Sequence, residues 1–141
     1  MTEEHESECG TPGAMHAFQE MIHILEKADS LQAIQRFYAE EAVVFENGVM
    51  AFAGREAILD AEKKALAAQP RAPTWKKRSG AFDPLTATSL IEWRIRFCDA
   101  DGHLLRLDQV SVQRWHQGLV IEERLYDFGL VDEGLAEKAP S

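Results

Sequence analysis

The chain has 141 residues, 45% hydrophobic and 28% charged, with a formal net charge of −9. This is enough for one globular domain with a sizeable core. The acidic balance, without a Lys/Arg-rich run, argues against nucleic acid or a membrane surface as partner, and no apolar stretch approaches the ~20 residues that span a bilayer. The first ten residues carry neither a basic nor an apolar signal region, so the expected location is the cytoplasm. The two cysteines, Cys9 and Cys98, form no Cys-x-x-Cys spacing and are read as free thiols.

Residues 1–12 are rich in Glu, Ser and Gly and predict a disordered acidic tail. The folded domain is expected over 13–129, with a C-terminal tail over 130–141. From Ala14, the residues Met15, Phe18, Met21, Ile22 and Leu25 recur at helical spacing, with His16 and His23 on another face. Asp29 followed by Gln32 reads as the N-cap of a second helix whose apolar side is Leu31, Ile34, Phe37 and Tyr38. Asn47-Gly48 between Val43–Glu46 and Val49–Ala53 predicts a short hairpin. After Gly54, residues 55–68 read as a third helix carrying Ile58, Ala61, Ala65 and Leu66. A proline-containing loop leads to a strand over Trp75–Phe82, and Asp83-Pro84 begins a turn.

Three antiparallel strands follow, over 89–99, 104–115 and 119–128, joined by Asp101-Gly102 and Gln117-Gly118. Strand side chains alternate between faces, and all three strands keep one parity. Ile91, Trp93, Ile95, Phe97, Leu105, Leu107, Trp115, Leu119, Ile121 and Leu125 share the odd face. Gln109, Ser111, Gln113, Glu123 and Asp127 interrupt it, and polar groups on a buried face must be paired or line a cavity. The expected fold is α+β: a cone-like barrel of a strongly curved antiparallel sheet, with three N-terminal helices enclosing a pocket.

Three segments resemble the nuclear transport factor 2-like superfamily and its SnoaL-like and ketosteroid isomerase-like members. They are the run from Phe37 to Glu46 (Phe-Tyr-Ala-Glu-Glu-Ala-Val-Val-Phe-Glu), Gly54-Arg55-Glu56-Ala57-Ile58, and the closing strand from Gly118 to Phe128. The resemblance covers about residues 14–128 and implies the cone fold. It places Glu46 where ketosteroid isomerases carry a general-base aspartate. The isomerases' oxyanion-hole Tyr and Asp correspond to Ile22 and about Ser111, so neither donor is retained. The Asp-Arg-Asp arrangement of the fold's epoxide hydrolases is also missing, with Trp93, Ile95 and Leu125 at the matching strands. Asp127 and His116 are counterparts of the Asp and His that SnoaL-like cyclases place in the pocket.

The candidate catalytic residues are Glu46, Glu123 and Asp127. Glu46, if walled by Phe45, Trp93 and Trp115, would be desolvated into the range of a general base; otherwise it caps the hairpin in water. Glu123 either points into the cavity or is flipped outward by a bulge. Tyr38, Trp93, Gln109, Ser111, Gln113 and Trp115 are the candidate wall for a mostly apolar ligand bearing oxygen. The five histidines do not cluster, and neither a metal nor another cofactor is expected. Val110, Val112 and Tyr126 form an apolar patch among charges on the even face, which predicts a homodimer through the sheet. The expected activity is cofactor-free proton transfer (isomerase, cyclase or dehydratase), and the alternative is a non-catalytic ligand- or protein-binding module.

Overall fold

A computed structural model describes residues 11–135. It contains three helices, α1 (Thr11–Glu26), α2 (Ser30–Phe37) and α3 (Arg55–Ala67). Six strands complete it: β1 (Tyr38–Glu46), β2 (Val49–Ala53), β3 (Thr74–Asp83), β4 (Thr88–Cys98), β5 (His103–His116) and β6 (Leu119–Leu135). The strands form one curved, unclosed sheet in the order β2-β1-β6-β5-β4-β3. The fold is α+β. Residues 1–10, which include Cys9, and 136–141 lie outside the described residues, so the expected tails are described only where they meet the domain.

Local chemistry accounts for most element ends. Asp29 Oδ1 accepts the Gln32 backbone N–H at 3.2 Å and starts α2. Asn47 and Gly48 have φ of 51° and 86°, the two positive values that a tight hairpin turn between β1 and β2 requires. Gly54, at φ 98°, turns the chain from β2 into α3, and its N–H donates to the Ala42 carbonyl at 2.7 Å. On α1, Ala14, Phe18, Met21, Ile22 and Leu25 are buried, whereas Met15 is only half-buried. Phe18 packs on the Trp115 ring edge-to-face at 6.5 Å and on Phe82 at 6.0 Å, tying α1 to the sheet.

Four features depart from the sequence reading. First, the sheet is mixed: β1 runs parallel to β6, while the other neighbours are antiparallel. No hairpin joins β1 to β6, so turn chemistry does not reveal their relative direction. The third helix, α3, falls between β2 and β3, where the sequence places it. Second, Tyr38 is not helical. Its φ of −99° and ψ of 138° are extended, and it opens β1 opposite Val120. Long-range pairing outweighs the helical spacing that groups it with Phe37.

Third, the register of β5 against β6 slips between Arg114 and Trp115, so that Trp115 pairs with Val120. The extra residue on β6 reverses parity locally. Val120 is fully buried and Ile121 is 42% exposed, the reverse of the expected assignment. From Glu122 onward the register places Gln113 opposite Glu123 and Ser111 opposite Leu125, so the bulge flips Ile121 and leaves Glu123 inward. Fourth, β6 does not end near Phe128. It passes Gly129 and pairs through Leu135 with the start of β5, converting residues 130–135 of the expected tail into strand. Glu133 accepts from Arg96 at 3.0 Å and from Arg106 at 3.4 Å, and Asp132 meets His103 at 2.8 Å. These partners lie on β4 and β5, too distant in sequence for local charge pattern to show.

On the outer face Arg94 makes a two-pronged contact with Asp108, at 2.9 and 3.1 Å. Cys98 is a buried free thiol whose Sγ accepts from Arg71 Nε at 3.2 Å. No described helix is long and apolar enough to cross a membrane.

Candidate functional site

A cavity of about 220 Å³ lies between the helices and the concave face of the sheet. Its apolar wall comprises Leu25, Ile34, Phe52, Ile58, Trp75 and Trp93, with Trp75 and Trp93 packed edge-to-face at 5.4 Å. Its polar wall comes from β5 and β6 (Gln109, Ser111, Gln113 and Glu123), with Tyr38 from β1. Alternation along each strand explains this grouping: Gln109, Ser111 and Gln113 are two residues apart, and Glu123 sits directly across from Gln113.

Glu123 is 8% exposed, and both of its carboxylate oxygens are held. Tyr38 Oη donates to Oε1 at 2.5 Å, and Gln113 Nε2 donates to Oε2 at 2.8 Å. Behind Gln113 the chain of hydrogen bonds continues. Ser89 Oγ donates to Gln113 Oε1 at 2.6 Å, and Trp115 Nε1 donates to Ser89 Oγ at 2.8 Å. The indole N–H uses one Ser89 lone pair, and the Ser89 hydroxyl donates its proton to Gln113 Oε1. That orients the Gln113 amide with its NH₂ toward Glu123.

Burial pushes the Glu123 carboxyl above its ordinary value, and the donors Tyr38 and Gln113 oppose this; a nearby carboxylate, Glu62, adds to the upward push. The Tyr38 phenol is raised well above its ordinary value, first by burial and then by the charge of Glu123, so it remains a neutral donor.

The remaining candidates are placed as follows. Ser111 is buried and Gln109 half-buried, both on the cavity wall. Glu46 also lines the cavity but is exposed, at the mouth. The expected enclosure by Phe45, Trp93 and Trp115 does not form. Phe45 is the neighbour of Glu46 on one strand and points to the opposite face, where the Arg124 guanidinium covers its ring at 4.1 Å. Trp115 is buried but does not line the cavity; its role is to anchor Ser89. Asp127 is exposed and outside the cavity lining, where the strand has run past the covered part of the sheet. Its Oδ1 accepts from Gln109 Nε2 at 2.9 Å, and its N–H donates to Asn47 Oδ1 at 3.0 Å. His116 is exposed beside its hairpin turn and outside the cavity lining. Among the described residues no three His, Cys, Asp or Glu side chains converge in a metal-binding arrangement.

Sequence reasoning passes over two contributors. Glu62 of α3 lines the cavity, and its Oε2 accepts from the buried Ser30 hydroxyl at 2.6 Å. Its signal is a charge four residues after Ile58, set within the Ile58–Ala61–Ala65 stripe. Ser89, fully buried, shares the odd parity of Ile91 and Trp93.

This architecture is the nuclear transport factor 2-like fold, as its solved structural neighbours show. The chain superposes on a candidate SnoaL-like polyketide cyclase from Jannaschia sp. CCS1 with a TM-score of 0.69 and 11% identity, covering 83% of this chain and 88% of the other. An LEH-like epoxide hydrolase from M. tuberculosis gives a TM-score of 0.67 and 14% identity over 84% of each chain. A candidate isomerase from Bacillus subtilis gives 0.64 and 16%, covering 83% and 87%. No protein-family model and no curated protein matches the chain.

Proposed function

We propose that the cavity binds a small, mostly apolar organic molecule carrying oxygen, and that Glu123 exchanges a proton with it without a cofactor. The reaction class is isomerisation, cyclisation or dehydration. The observation that carries this reading is Glu123 itself: a carboxylate buried in a cavity wall, both of its oxygens fixed by side-chain donors. Desolvation raises its proton affinity toward that of a working general base. The hydrogen bonds to Tyr38 and Gln113 hold it in one orientation. Gln109 and Ser111, on the same wall, are the candidate donors to substrate oxygen. Glu46 stands at the mouth as a second carboxylate, and Asp127 orients Gln109. The occurrence of candidate cyclases, a candidate isomerase and an epoxide hydrolase on this fold supports small-molecule chemistry as the class.

The test is exchange of the α-protons of small cyclic ketones in D₂O, followed by proton NMR. Exchange above background that falls about a hundred-fold in Glu123→Gln, and by much less in Glu46→Gln, supports the reading. Exchange untouched by Glu123→Gln overturns it.

A second reading, a non-catalytic binding module, is favoured by one observation: each Glu123 oxygen already accepts a protein donor. Saturable ligand binding with no α-proton exchange would select it.

The outer sheet face supports a homodimer. Pairing places Leu90 beside Val112, and Val110 beside both Glu92 and Tyr126. Leu90 is 42% exposed, and the Arg94–Asp108 pair borders the patch.

A further inference from the structure

Three charged side chains line the cavity, Glu46, Glu62 and Glu123, and all three are acidic; no Lys, Arg or His occurs among its described lining residues. Glu62 and Glu123 come from different elements, α3 and β6, and line one cavity. Each is tied to its own partner: Glu62 to Ser30, and Glu123 to Tyr38 and Gln113. No cationic group of the cavity wall offsets them. Two like charges on one cavity repel, and a cation placed between them reverses the sign of that term.

The hydrogen-bond directions point the same way. Gln113, whose amide oxygen accepts from Ser89, presents its NH₂ to Glu123, and Tyr38 donates as well. A carboxylate has about four acceptor sites, of which Tyr38 and Gln113 use two. The remaining sites are open to a ligand that donates. The same cavity is lined by Tyr38, Phe52, Trp75 and Trp93, aromatic rings of the kind that attract organic cations.

We propose that the ligand is a small organic ammonium ion. Its charged nitrogen sits between Glu62 and Glu123, and its apolar body lies against Phe52, Trp75 and Trp93. This rests on the reading of the cavity as a ligand site and adds the charge of the ligand. An amino ketone or amino alcohol meets both descriptions, because Gln109 and Ser111 are available for its oxygen. The cavity of about 220 Å³ is smaller than the roughly 300–1,000 Å³ of drug-sized pockets, which limits the body to about one ring. The net charge of −9 favours encounter with a cation.

The test is isothermal titration calorimetry at pH 7 with cyclohexylamine (protonated at that pH), cyclohexanone and cyclohexanecarboxylate, three probes of similar shape and different charge. The expected result is cyclohexylamine binding at least about ten-fold tighter than cyclohexanone, with the carboxylate weakest. Glu62→Gln and Glu123→Gln should each weaken the amine about ten-fold or more and change cyclohexanone by less than about three-fold. Glu62→Gln, on a partly exposed helix position, keeps the test decisive if Glu123→Gln fails to fold. Cyclohexanone binding as tightly as the amine, or an amine affinity unmoved by Glu62→Gln, overturns the proposal while leaving the ligand cavity standing. Failure of all three probes to bind overturns the cavity reading and the ammonium proposal together.

Discussion

Tyr38 Oη lies 2.5 Å from Glu123 Oε1, joining residues 85 positions apart in the chain. The contact exists because Tyr38 leaves the helical path one residue early and enters the sheet beside β6. It gives a buried carboxylate a neutral donor that cannot itself ionise near neutral pH, since burial and the adjacent negative charge hold the phenol proton in place.

Stability should carry the signature of this buried acid. Its folded-state pKa lies above the ordinary value near 4.5, with burial as the largest cause. Below that ordinary value the group is protonated in folded and unfolded chains alike, and its stabilising contribution is fully present. As pH rises the unfolded chain releases the proton first, so the contribution falls until pH passes the raised folded value. The stability of wild type minus that of Glu123→Gln should therefore fall by about 1.4 kcal/mol per pH unit above pH ~4.5 and then level off. Urea unfolding of both proteins between pH 4 and 8 measures it, and a difference that is flat or rises with pH contradicts the assignment.

Tyr38→Phe keeps the ring and removes the donor. The variant should be less stable by about 1–3 kcal/mol, the range for a hydrogen bond to a buried charged group. It should also raise the Glu123 pKa further, because the lost bond favours the anion. Carboxyl carbon NMR of the folded variant reads that shift directly; an unmoved titration would mean that Tyr38 does not hold Glu123 in solution.

Ser89→Ala should cost about 2–4 kcal/mol, because it leaves both Trp115 Nε1 and Gln113 Oε1 without their buried partner. The effect should be strongly non-additive with Trp115→Phe, since after Ser89→Ala the indole N–H has no acceptor left to lose. A double-mutant cycle by denaturant unfolding should give a coupling of at least ~0.5 kcal/mol. Simple additivity would show that the two side chains act separately.

Val110→Lys places a charge in the middle of the outer apolar patch, between Glu92 and Tyr126. Light scattering at micromolar concentration should find a dimer for the natural sequence and a monomer for the variant, with the folded circular dichroism spectrum retained. A natural protein that is already monomeric would place the patch in solvent.

Much of this was legible from residue order, and the reason is locality. The Asn47-Gly48 hairpin, the Asp29 cap, Val49–Ala53 as a complete strand and the inward set Ile91, Trp93 and Ile95 depend on side chains a few residues apart. Turn geometry, capping and strand alternation act at that range, and they also placed Gln109, Ser111, Gln113 and Glu123 on one face. Tertiary structure decided what depends on distant partners: the parallel β1–β6 pair, the bulge that exchanges Val120 with Ile121, and the extension of β6 onto β5. It also decided which carboxylate is desolvated. Glu46 and Glu123 look alike as residues, but one ends a strand at a cavity mouth and the other lies beneath the helices. Glu62 joins them only because α3 folds back over the sheet. Sequence could name a polar face; which of its acids is cut off from water depends on how much of the sheet the helices cover.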